Sequence, residues 1–561
     1  MKDSSLPLSP RRGDGAVESA FARDEPAAKR RQRPDKCRLH LPPPTDLPPT
    51  NPSSAQPKPD GGSGGPMASR RGAGAEPRRG PGQRPAGRGL VVAGTRSGCG
   101  KTSVALGLMR ALSRRGLRVQ AFKVGPDFID PGHHGLATGR VSHNLDDWMC
   151  GADVVREIFA RYAADADVVV VEGVMGLFDG FSARDDAGST ARLAKTLGLP
   201  VLLVADAASM ARSAAAMVSG FTHFDPELNF CGVALNNAGS DSHRELLAEV
   251  MAVSLPETPL WGVLPRRPAI AMPSRHLGLV TAETDCDALS RLDALADWIE
   301  AHMDLPRLIQ SLPPLWGSGG AVVPRQGPGA APLAAGGISP SFPSTTSSTS
   351  PIIGVARDAA FCFYYAENLR LLEAAGATLA YFSPLSDATL PKGVGGLYLG
   401  GGYPELFAQE LAANAAMREA VRVFCAAGRP VLAECGGFMY LMESLVDKED
   451  REQAMAGVFP FRAIMGERFS ALGYREATTR AATPLGPAGT RLRGHEFHYS
   501  RLEGDTGQVP AVYALTGRKG PIDAPEGFLR GNTLGSYVHL HFGGNPRAAA
   551  YFVACCAKGR D

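Results

Sequence analysis

The stretch GLVVAGTRSGCGKT, residues 89–102, decides the fold of the first half of the chain. It begins with an apolar run typical of a buried strand and continues into a glycine-rich loop. After the loop, apolar residues recur at helical spacing from Thr102 to Arg115, and Gly116 is the expected helix stop. A strand, a glycine-rich loop and a helix in this order predict a parallel α/β unit whose helix N-terminus directs free N–H groups at an anion.

The loop contains the residues that a phosphate-binding loop requires. Backbone N–H groups can surround phosphates, the Lys101 ammonium can reach the outer ones, and the Thr102 hydroxyl can bind Mg²⁺. The usual pattern has its first glycine at the position of Thr95, whereas here the glycine is Gly94. In this respect the loop resembles the variant found in the dethiobiotin-synthetase-like branch. The residues predicted to bind ATP here are Gly94, Thr95, Gly98, Gly100, Lys101 and Thr102.

Two other predicted strands end near carboxylates. Asp127 lies in FKVGPDFIDP, residues 122–131, and Glu172 and Asp179 lie in VVVVEGVMGLFDG, residues 168–180. The carboxyl ends of parallel strands line one crevice, so all three side chains are expected beside the phosphate loop. We predict that Asp127 and Asp179 take part in substrate activation.

Glu172 follows four valines, and a buried carboxylate needs a partner. Mg²⁺ prefers oxygen ligands, so we predict that Thr102, Asp127 and Glu172 hold this ion. Turn chemistry beside Pro126 is the other interpretation of Asp127. Asn236 ends a further apolar run and is a candidate for contact with the adenine base, although an asparagine turn explains it equally well.

The second half of the chain contains PVLAECGGF, residues 430–438, which has the layout of a nucleophile elbow. An apolar strand ends at Cys435 and two glycines follow, so the thiol is held out from the sheet and backbone N–H groups can stabilise an oxyanion. A helix N-terminus beside the sulfur is expected to favour the thiolate. His539, in GSYVHLHF (residues 535–542), is expected at the end of another apolar strand, and such a Cys–His pair can perform covalent acyl transfer. A buried structural cysteine is the alternative.

The composition limits the function classes. The 561 residues are 44% hydrophobic with a net charge of only +3, so sizeable cores can form and a broad nucleic-acid surface is not expected. No apolar run is long enough to span a membrane. The ten cysteines lack CxxC spacing, and we expect reduced thiols and a cytoplasmic protein, with an organelle matrix left open by the N-terminal extension.

The chain divides into four segments. Residues 1–87 are rich in Pro, Gly, Arg and Ser and are predicted to be a disordered tail, which should be dispensable at least up to Met67. Residues 88–305 alternate strands and helices as a P-loop ATP-dependent domain, and residues 306–351 are a Pro/Gly/Ser linker. Residues 352–558 form a second α/β domain that contains the Cys435 elbow.

Eight runs in order resemble the cobyrinic (or hydrogenobyrinic) acid a,c-diamide synthase family of cobalamin biosynthesis, from about residue 89 to 556. The runs are residues 93–102, 122–131, 172–180, 359–369, 397–405, 433–441, 493–500 and 536–542. The resemblance implies an α/β fold in two parts, a P-loop dethiobiotin-synthetase-like parallel-sheet domain and a class I glutamine amidotransferase-like domain. It implies ATP, Mg²⁺ and glutamine as requirements, and amidation of the a and c acetate side chains of a corrin macrocycle.

The same resemblance implies the branch of amidotransferases that lacks the full catalytic triad. Complete triads of this class have a Glu two positions after the catalytic His, and this position is His541 here, so Cys435 and His539 are expected to form a dyad. Whether Glu434, His541 or a backbone carbonyl orients the imidazole stays open. The candidate oxyanion and glutamine-binding residues are Gly401, Gly402 and Gly436.

Three other functions stay open. A related amidase could act on another tetrapyrrole, such as nickel sirohydrochlorin, or on cobyric acid side chains. A nucleotide-switched partitioning or scaffold protein would leave the Cys435 elbow unexplained, and a glutaminase-like regulator with a vestigial ATP site would leave Lys101 and Glu172 unexplained. We expect the corrin macrocycle, glutamine and ATP as partners, with no nucleic acid and no membrane, and leave a homodimer open.

Overall fold

A computed structural model describes residues 87–275, 278–315 and 350–558. The predicted disordered tail lies outside these ranges, apart from Gly87, and so does most of the predicted linker. Among the described helices, none combines the length and the hydropathy needed to cross a lipid bilayer.

The first domain is built on a seven-stranded parallel sheet with the strand order β3-β2-β4-β1-β5-β6-β7. Its strands are β1 (Arg88–Gly94), β2 (Val119–Val124), β3 (His143–Leu145), β4 (Val168–Glu172), β5 (Val201–Asp206), β6 (Phe230–Ala238) and β7 (Leu260–Pro265), followed by a hairpin of β8 (Ser274–Arg275) and β9 (Gly278–Leu279). The central strand β1 pairs with β4 on one side and β5 on the other. Because the pairing is parallel, the carboxyl ends of these three strands lie at one edge of the sheet.

Helices cover both faces of this sheet because strand side chains alternate between the faces. Val91, Val169 and Leu203 pack into one buried apolar layer, and Leu90, Val170 and Leu202 pack into the other. The helices are α1 (Lys101–Arg114), α2 (Ile129–Thr138), α3 (Asp147–Cys150), α4 (Ala152–Ala163), α5 (Thr190–Leu197), α6 (Arg212–Phe224), α7 (Asp241–Ser254), α8 (Ala288–His302) and α9 (Leu305–Ser311). A short 3-10 helix spans Pro268–Ile270.

The last of these helices corrects the predicted linker boundary at residue 306. Leu308 of α9 is buried, and so is Leu312 directly after it, in the same apolar layer as α1 and α8. The predicted linker begins too early because a short helix with Pro306 in its first turn gives only a weak periodic signal in the sequence.

The second domain contains a six-stranded sheet in the order β11-β10-β12-β13-β23-β22 and two smaller sheets, β15-β14-β16-β19 and β21-β20-β17-β18-β24. The strands are β10 (Ile352–Ala356), β11 (Thr378–Phe382), β12 (Val394–Leu399), β13 (Val431–Glu434), β14 (Met442–Val446), β15 (Glu452–Ala454), β16 (Phe459–Met465), β17 (Ala471–Thr479), β18 (Arg491–His498), β19 (Ser500–Glu503), β20 (Tyr513–Gly517), β21 (Gly520–Ile522), β22 (Phe528–Arg530), β23 (Thr533–Ser536) and β24 (His539–His541). The helices are α10 (Ala366–Ala374), α11 (Ala408–Ala413), α12 (Ala415–Ala426), α13 (Gly436–Leu441) and α14 (Pro546–Lys558), with 3-10 helices at Pro404–Phe407, Thr506–Gln508 and Phe542–Gly544.

The two domains contact each other through polar and aromatic side chains near α3. Tyr474 Oη of β17 donates a hydrogen bond to Asp146 Oδ2 at 2.7 Å, and Arg493 Nη1 of β18 donates to the carbonyl of Trp148 at 2.9 Å. Asp146 also caps α3, because its Oδ1 accepts a hydrogen bond from the N–H of Met149. Burial raises the pKa of Asp146 to about 6. One buried carboxyl group therefore connects the start of α3 to the second domain.

Candidate active sites

The predicted phosphate loop joins β1 to α1 with the geometry that its glycines indicate. Gly98 and Gly100 have φ angles of 76° and 93°, which favour glycine. At Gly94, an added Cβ would lie 2.5 Å from Cys99 Sγ, so the early glycine is needed for the loop to fold back on itself. The N–H of Thr95 donates to the carbonyl of Val204 in β5 at 3.1 Å and anchors the loop to the sheet. Lys101 is the first residue of α1, so its side chain starts at the helix N-terminus.

Asn236 lies beside this loop and supports it. Its Nδ2 donates a hydrogen bond to the carbonyl of Cys99 at 3.0 Å, and a Cβ on Gly100 would lie 2.0 Å from the same nitrogen. The side chain therefore reaches another segment of the chain, and both interpretations of Asn236 stay predictions. One of its two amide N–H donors bonds to the loop, and the other is left for contact with a ligand.

Glu172 has protein partners on both carboxylate oxygens. Its Oε1 accepts hydrogen bonds from Thr102 Oγ1 at 2.6 Å and Lys123 Nζ at 3.0 Å, and its Oε2 lies 2.7 Å from His134 Nε2. Burial alone would raise its pKa, but Lys123 and His134 hold the pKa of Glu172 well below its usual range. Protein groups therefore already satisfy this carboxylate, and its burial does not by itself require Mg²⁺.

Lys123 was missed by the sequence analysis. Its ammonium is 2% exposed and also lies 2.5 Å from Asp130 Oδ2, in addition to Glu172. Burial opposes its charge, but Asp130 and Glu172 raise the pKa of Lys123 above its usual range. A lysine inside the otherwise uncharged strand β2 was the available signal, because a buried ammonium requires carboxylate partners.

Asp127 accepts hydrogen bonds from the first N–H groups of α2. Its Oδ1 accepts hydrogen bonds from the N–H groups of Ile129 at 2.7 Å and Asp130 at 3.4 Å, so the turn interpretation holds as well. Burial and the neighbouring Asp130 raise the pKa of Asp127 to about 7. Asp179 is exposed, and its Oδ2 accepts a hydrogen bond from the N–H of Gly176 at 3.0 Å within a tight turn.

The oxygen atoms beside the loop supply only part of the ligand set that Mg²⁺ needs. Thr102 and Glu172 bring a hydroxyl and a carboxylate oxygen together, which is the chemistry that Mg²⁺ prefers. Lys123 lies against the same carboxylate oxygen and competes for it. Within the described ranges, no group of three or more His, Cys, Asp or Glu side chains is arranged to hold a metal ion. Further oxygen ligands would come from water and from a bound phosphate.

Cys435 lies on a strained turn between β13 and α13. Its φ and ψ are 47° and −103°, a left-handed backbone that a non-glycine residue rarely adopts. The N–H of Cys435 donates to the carbonyl of Ser536 in β23 at 2.7 Å, which fixes the turn to the neighbouring strand. This is the geometry predicted for a nucleophile elbow.

The glycines around Cys435 are required by close backbone approach. A Cβ on Gly436 would lie 3.0 Å from the nitrogen of Gly402 and 3.4 Å from the carbonyl carbon of Gly401. The Gly401–Gly402 turn that follows β12 is therefore in contact with the elbow, and its N–H groups lie beside those after Cys435. Gly402 itself has a φ of 156° and no space for a side chain against Ala360. The structure thus brings all three candidate oxyanion residues together.

The surroundings of Cys435 favour the thiol over the thiolate that the sequence analysis expected. Burial raises the pKa of Cys435 above its usual range, although the N–H of Gly436 acts in the opposite direction. The sulfur is 4.0 Å from the carbonyl oxygen of Phe497 in β18, its hydrogen-bond acceptor. A base must therefore remove the proton when the thiol attacks.

The sequence analysis predicted that His539 ends an apolar strand. In the structure, the apolar strand β23 ends before this residue. His539 is the first residue of β24, which pairs antiparallel with β18, so that His539 lies opposite His495. The ring reaches the elbow region all the same, because a Cβ on Gly401 would lie 2.3 Å from His539 Cε1. Burial lowers the pKa of His539 to about 3, so its imidazole is neutral and able to accept a proton.

None of the three candidates for a third triad member bonds to His539. Glu434 Oε1 accepts a hydrogen bond from the N–H of Leu540 at 3.0 Å, and Glu434 Oε2 accepts one from Tyr398. His541 contacts Cys150 Sγ of α3 at 3.2 Å. His539 Nδ1 is buried without a hydrogen-bond partner among the described residues. The His539 ring packs against that of Phe128, at a centroid distance of 4.8 Å.

The cysteines of the described residues are mostly free thiols. They are Cys99, Cys150, Cys231, Cys362, Cys425, Cys435, Cys555 and Cys556. Cys286 is not among these eight, and the expectation of reduced thiols stays a prediction.

Two family models match the chain in the order predicted. The CobQ/CobB/MinD/ParA nucleotide-binding domain matches residues 90–280, and the CobB/CobQ-like glutamine amidotransferase domain matches residues 352–547. A cobyrinate a,c-diamide synthase of Syntrophotalea carbinolica is 47% identical over 473 residues, which cover 83% of this chain and 98% of that protein. The chain belongs to the cobyrinate a,c-diamide synthase family.

Other members of the family agree with this assignment. A cobyrinate a,c-diamide synthase of a Synechococcus species is 43% identical over 469 residues, 84% of this chain and 98% of that protein. A hydrogenobyrinate a,c-diamide synthase of Streptomyces coelicolor is 43% identical over 486 residues, 83% of this chain and 97% of that protein. The predicted resemblance and the predicted pair of domains are confirmed. The chain is a glutamine-dependent ligase with a nucleotide-binding domain.

Proposed function

We propose that this chain amidates the a and c acetate carboxylates of cobyrinic or hydrogenobyrinic acid, with ATP as the activating nucleotide and glutamine as the nitrogen donor. The observation that carries the proposal is the presence of two complementary sites in one chain. The loop ending at Lys101 suits phosphoryl transfer, and the elbow at Cys435 suits attack on a carboxamide.

The phosphate loop prepares the macrocycle carboxylate for reaction. Backbone N–H groups of the loop and Lys101 bind the phosphates of ATP, and transfer of the terminal phosphoryl group turns a carboxylate oxygen into a leaving group. Thr102 and Glu172 would hold Mg²⁺, which when bound supplies charge neutralisation for the phosphates. Asp127 and Asp179 lie at the same edge of the sheet and position the carboxylate.

The elbow releases ammonia from glutamine. The Cys435 thiol gives its proton to the neutral His539 imidazole as the sulfur attacks the glutamine carboxamide. The N–H groups around Gly402 and Gly436 stabilise the oxyanion, the C–N bond breaks as His539 returns the proton to the leaving nitrogen, and water then hydrolyses the thioester to glutamate. Ammonia attacks the acyl phosphate and displaces phosphate, which completes the amide.

Two further proposals concern the whole protein, and the first rests on its composition. We propose that it works in the cytoplasm, because it has a near-neutral charge and no disulfide framework spread along the chain. We also propose that the protein assembles as a homodimer, and a measurement of its molar mass in solution tests this.

The direct test is mass spectrometry of the purified protein with ATP, magnesium and glutamine. Cobyrinic acid and hydrogenobyrinic acid should each be offered, with nickel sirohydrochlorin as the competing macrocycle. The proposal expects two successive conversions of a hydroxyl to an amino group on the corrin substrate. Conversion of nickel sirohydrochlorin alone, or hydrolysis of ATP and glutamine without any amide product, would contradict it.

A further inference from the structure

The imidazole of His539 lacks the hydrogen bond that orients the base in a complete triad. Its Nδ1 is buried without a partner among the described residues, and Glu434 bonds to the backbone of Leu540 instead. A ring held by no hydrogen bond at Nδ1 can rotate unless its neighbours prevent this, and a misplaced base slows proton transfer. Something other than an acid must therefore fix the ring.

The neighbour that meets the ring comes from the first domain. Phe128 directly follows Asp127, at the start of α2, and its ring centroid lies 4.8 Å from that of His539. The two rings are tilted by 43°. Close packing of two rings excludes other rotamers and so fixes the orientation of each ring. It also adds the favourable free energy of burial.

Phe128 also contacts the part of the second domain that carries the glycine turn. Its ring stacks on Phe363 at 5.3 Å with an interplanar angle of 11°, and contacts Tyr365 at 4.5 Å. The N–H of Phe363 donates to the carbonyl of Gly401 at 3.0 Å, and Gly401 in turn lies against the His539 ring. One side chain of the first domain is therefore in contact with the base and with the support of the glycine turn.

We propose that Phe128 is a positioning residue of the glutaminase site, where it holds the His539 imidazole by ring packing in place of the absent third triad member. The inference rests on the proposed function, because it assigns His539 the role of base for Cys435. It follows that the glutaminase site is complete only when the first domain is docked against the second.

The experiment compares four full-length variants, namely Phe128→Ala, Phe128→Leu, Phe128→Tyr and Phe181→Ala. Phe181 is a matched control, because it also belongs to the first domain and meets Tyr474 of the second domain at 6.0 Å, away from His539. Each variant is assayed for kcat and KM with glutamine, for amidation with ammonium chloride, and for its thermal denaturation midpoint.

Loss of ring packing should lower kcat with glutamine about 10- to 100-fold in Phe128→Ala and Phe128→Leu, because small misplacements of a catalytic group have effects of this size. KM for glutamine and amidation with ammonia should be retained, and Phe128→Tyr should keep the wild-type kcat. Phe181→Ala should keep kcat with glutamine.

Two results would overturn the proposal. One is a wild-type glutamine kcat in Phe128→Leu, which remains informative even when Phe128→Ala fails to fold. The other is an equal loss with glutamine and with ammonia, which would place the effect in the first domain. Cys435→Ala is assayed in parallel. Glutamine-dependent activity that is retained in Cys435→Ala would refute the proposed function itself. If Cys435→Ala loses this activity but Phe128→Leu keeps it, only the role of Phe128 is refuted.

Discussion

The N–H of Leu540 donates a hydrogen bond to Oε1 of Glu434 at 3.0 Å. Glu434 immediately precedes the proposed nucleophile Cys435, and Leu540 immediately follows the proposed base His539. The bond therefore joins the two strands that carry the candidate dyad, although neither catalytic side chain takes part. Tyr398 Oη donates to the second oxygen of the same carboxyl group at 2.8 Å.

Substitution of Glu434 should change how stability depends on pH. Burial raises the pKa of Glu434 from an ordinary value of 4.5 to about 7. Between these two pH values the folded chain keeps a proton that the unfolded chain has lost, so stability falls as the pH rises through this window and is then constant. The loss contributed by this group is about 3 kcal/mol at most.

Glu434→Gln keeps the shape and an acceptor for Leu540 but cannot titrate. Its thermal denaturation midpoint should therefore decline less than that of the wild type across the same window. Other buried acids, such as Asp146, affect both proteins equally, so the difference between them isolates Glu434. Parallel pH profiles for the two proteins would contradict the assignment of a raised pKa.

Gly401→Ala should impair the use of glutamine. The added Cβ would lie 2.3 Å from His539 Cε1, so the ring or the glycine turn must shift. We expect a loss of about 100-fold in glutamine-dependent kcat, with ammonia-dependent amidation retained. Gly220→Ala in α6 is the matched control, because nothing lies within 4 Å of its added Cβ. Full glutamine-dependent activity in Gly401→Ala would show that the turn does not contact the working base.

Lys123→Met should destabilise the first domain. It leaves Asp130 and Glu172 buried without their shared ammonium, and removal of one partner from a buried ion pair costs about 3–5 kcal/mol. Thermal denaturation monitored with and without ATP measures the loss. The double variant Lys123→Met/Glu172→Gln should recover part of it, because one of the unpaired charges is then absent. If the double variant is instead less stable than Lys123→Met alone, the ion-pair account is contradicted.

The features that sequence predicts well here are local. The β1–loop–α1 unit, the valine strand β4 and the Cys435 elbow each depend on residues close together in the chain, where glycine positions and apolar periodicity constrain the backbone directly. The helix predicted for residues 102–115 is observed as α1, Lys101–Arg114. The two family models that match the chain confirm the fold class that these units indicate.

The features that sequence missed depend on contacts between distant segments. Lys123, His134 and Glu172 meet from β2, α2 and β4, and no spacing rule reveals such a cluster. His539 was placed at the end of β23, but a short irregular step after Ser536 moves it into β24 and a different sheet. Phe128 could not be connected with His539 at all, since the contact forms only when two domains dock.

Lys101→Ala should lower amidation with either nitrogen source. The lysine acts on activation of the carboxylate, which both ammonia and glutamine require, and loss of one positioned charge at a phosphoryl centre costs roughly 100-fold in rate. Steady-state assays with each nitrogen donor measure the effect, and the exposed Lys392→Ala is the control. A normal rate with ammonia would place carboxylate activation elsewhere.

The central claim is that one chain makes ammonia at Cys435 and consumes it at the phosphate loop. It is tested most directly by amidation of cobyrinic acid by Cys435→Ala, with glutamine in one assay and with a high concentration of ammonium chloride at alkaline pH in the other. The account predicts no amide from glutamine and a wild-type rate from ammonia, because free ammonia bypasses the elbow. Loss of both activities in folded protein, or amide formation from glutamine without the thiol, would contradict it.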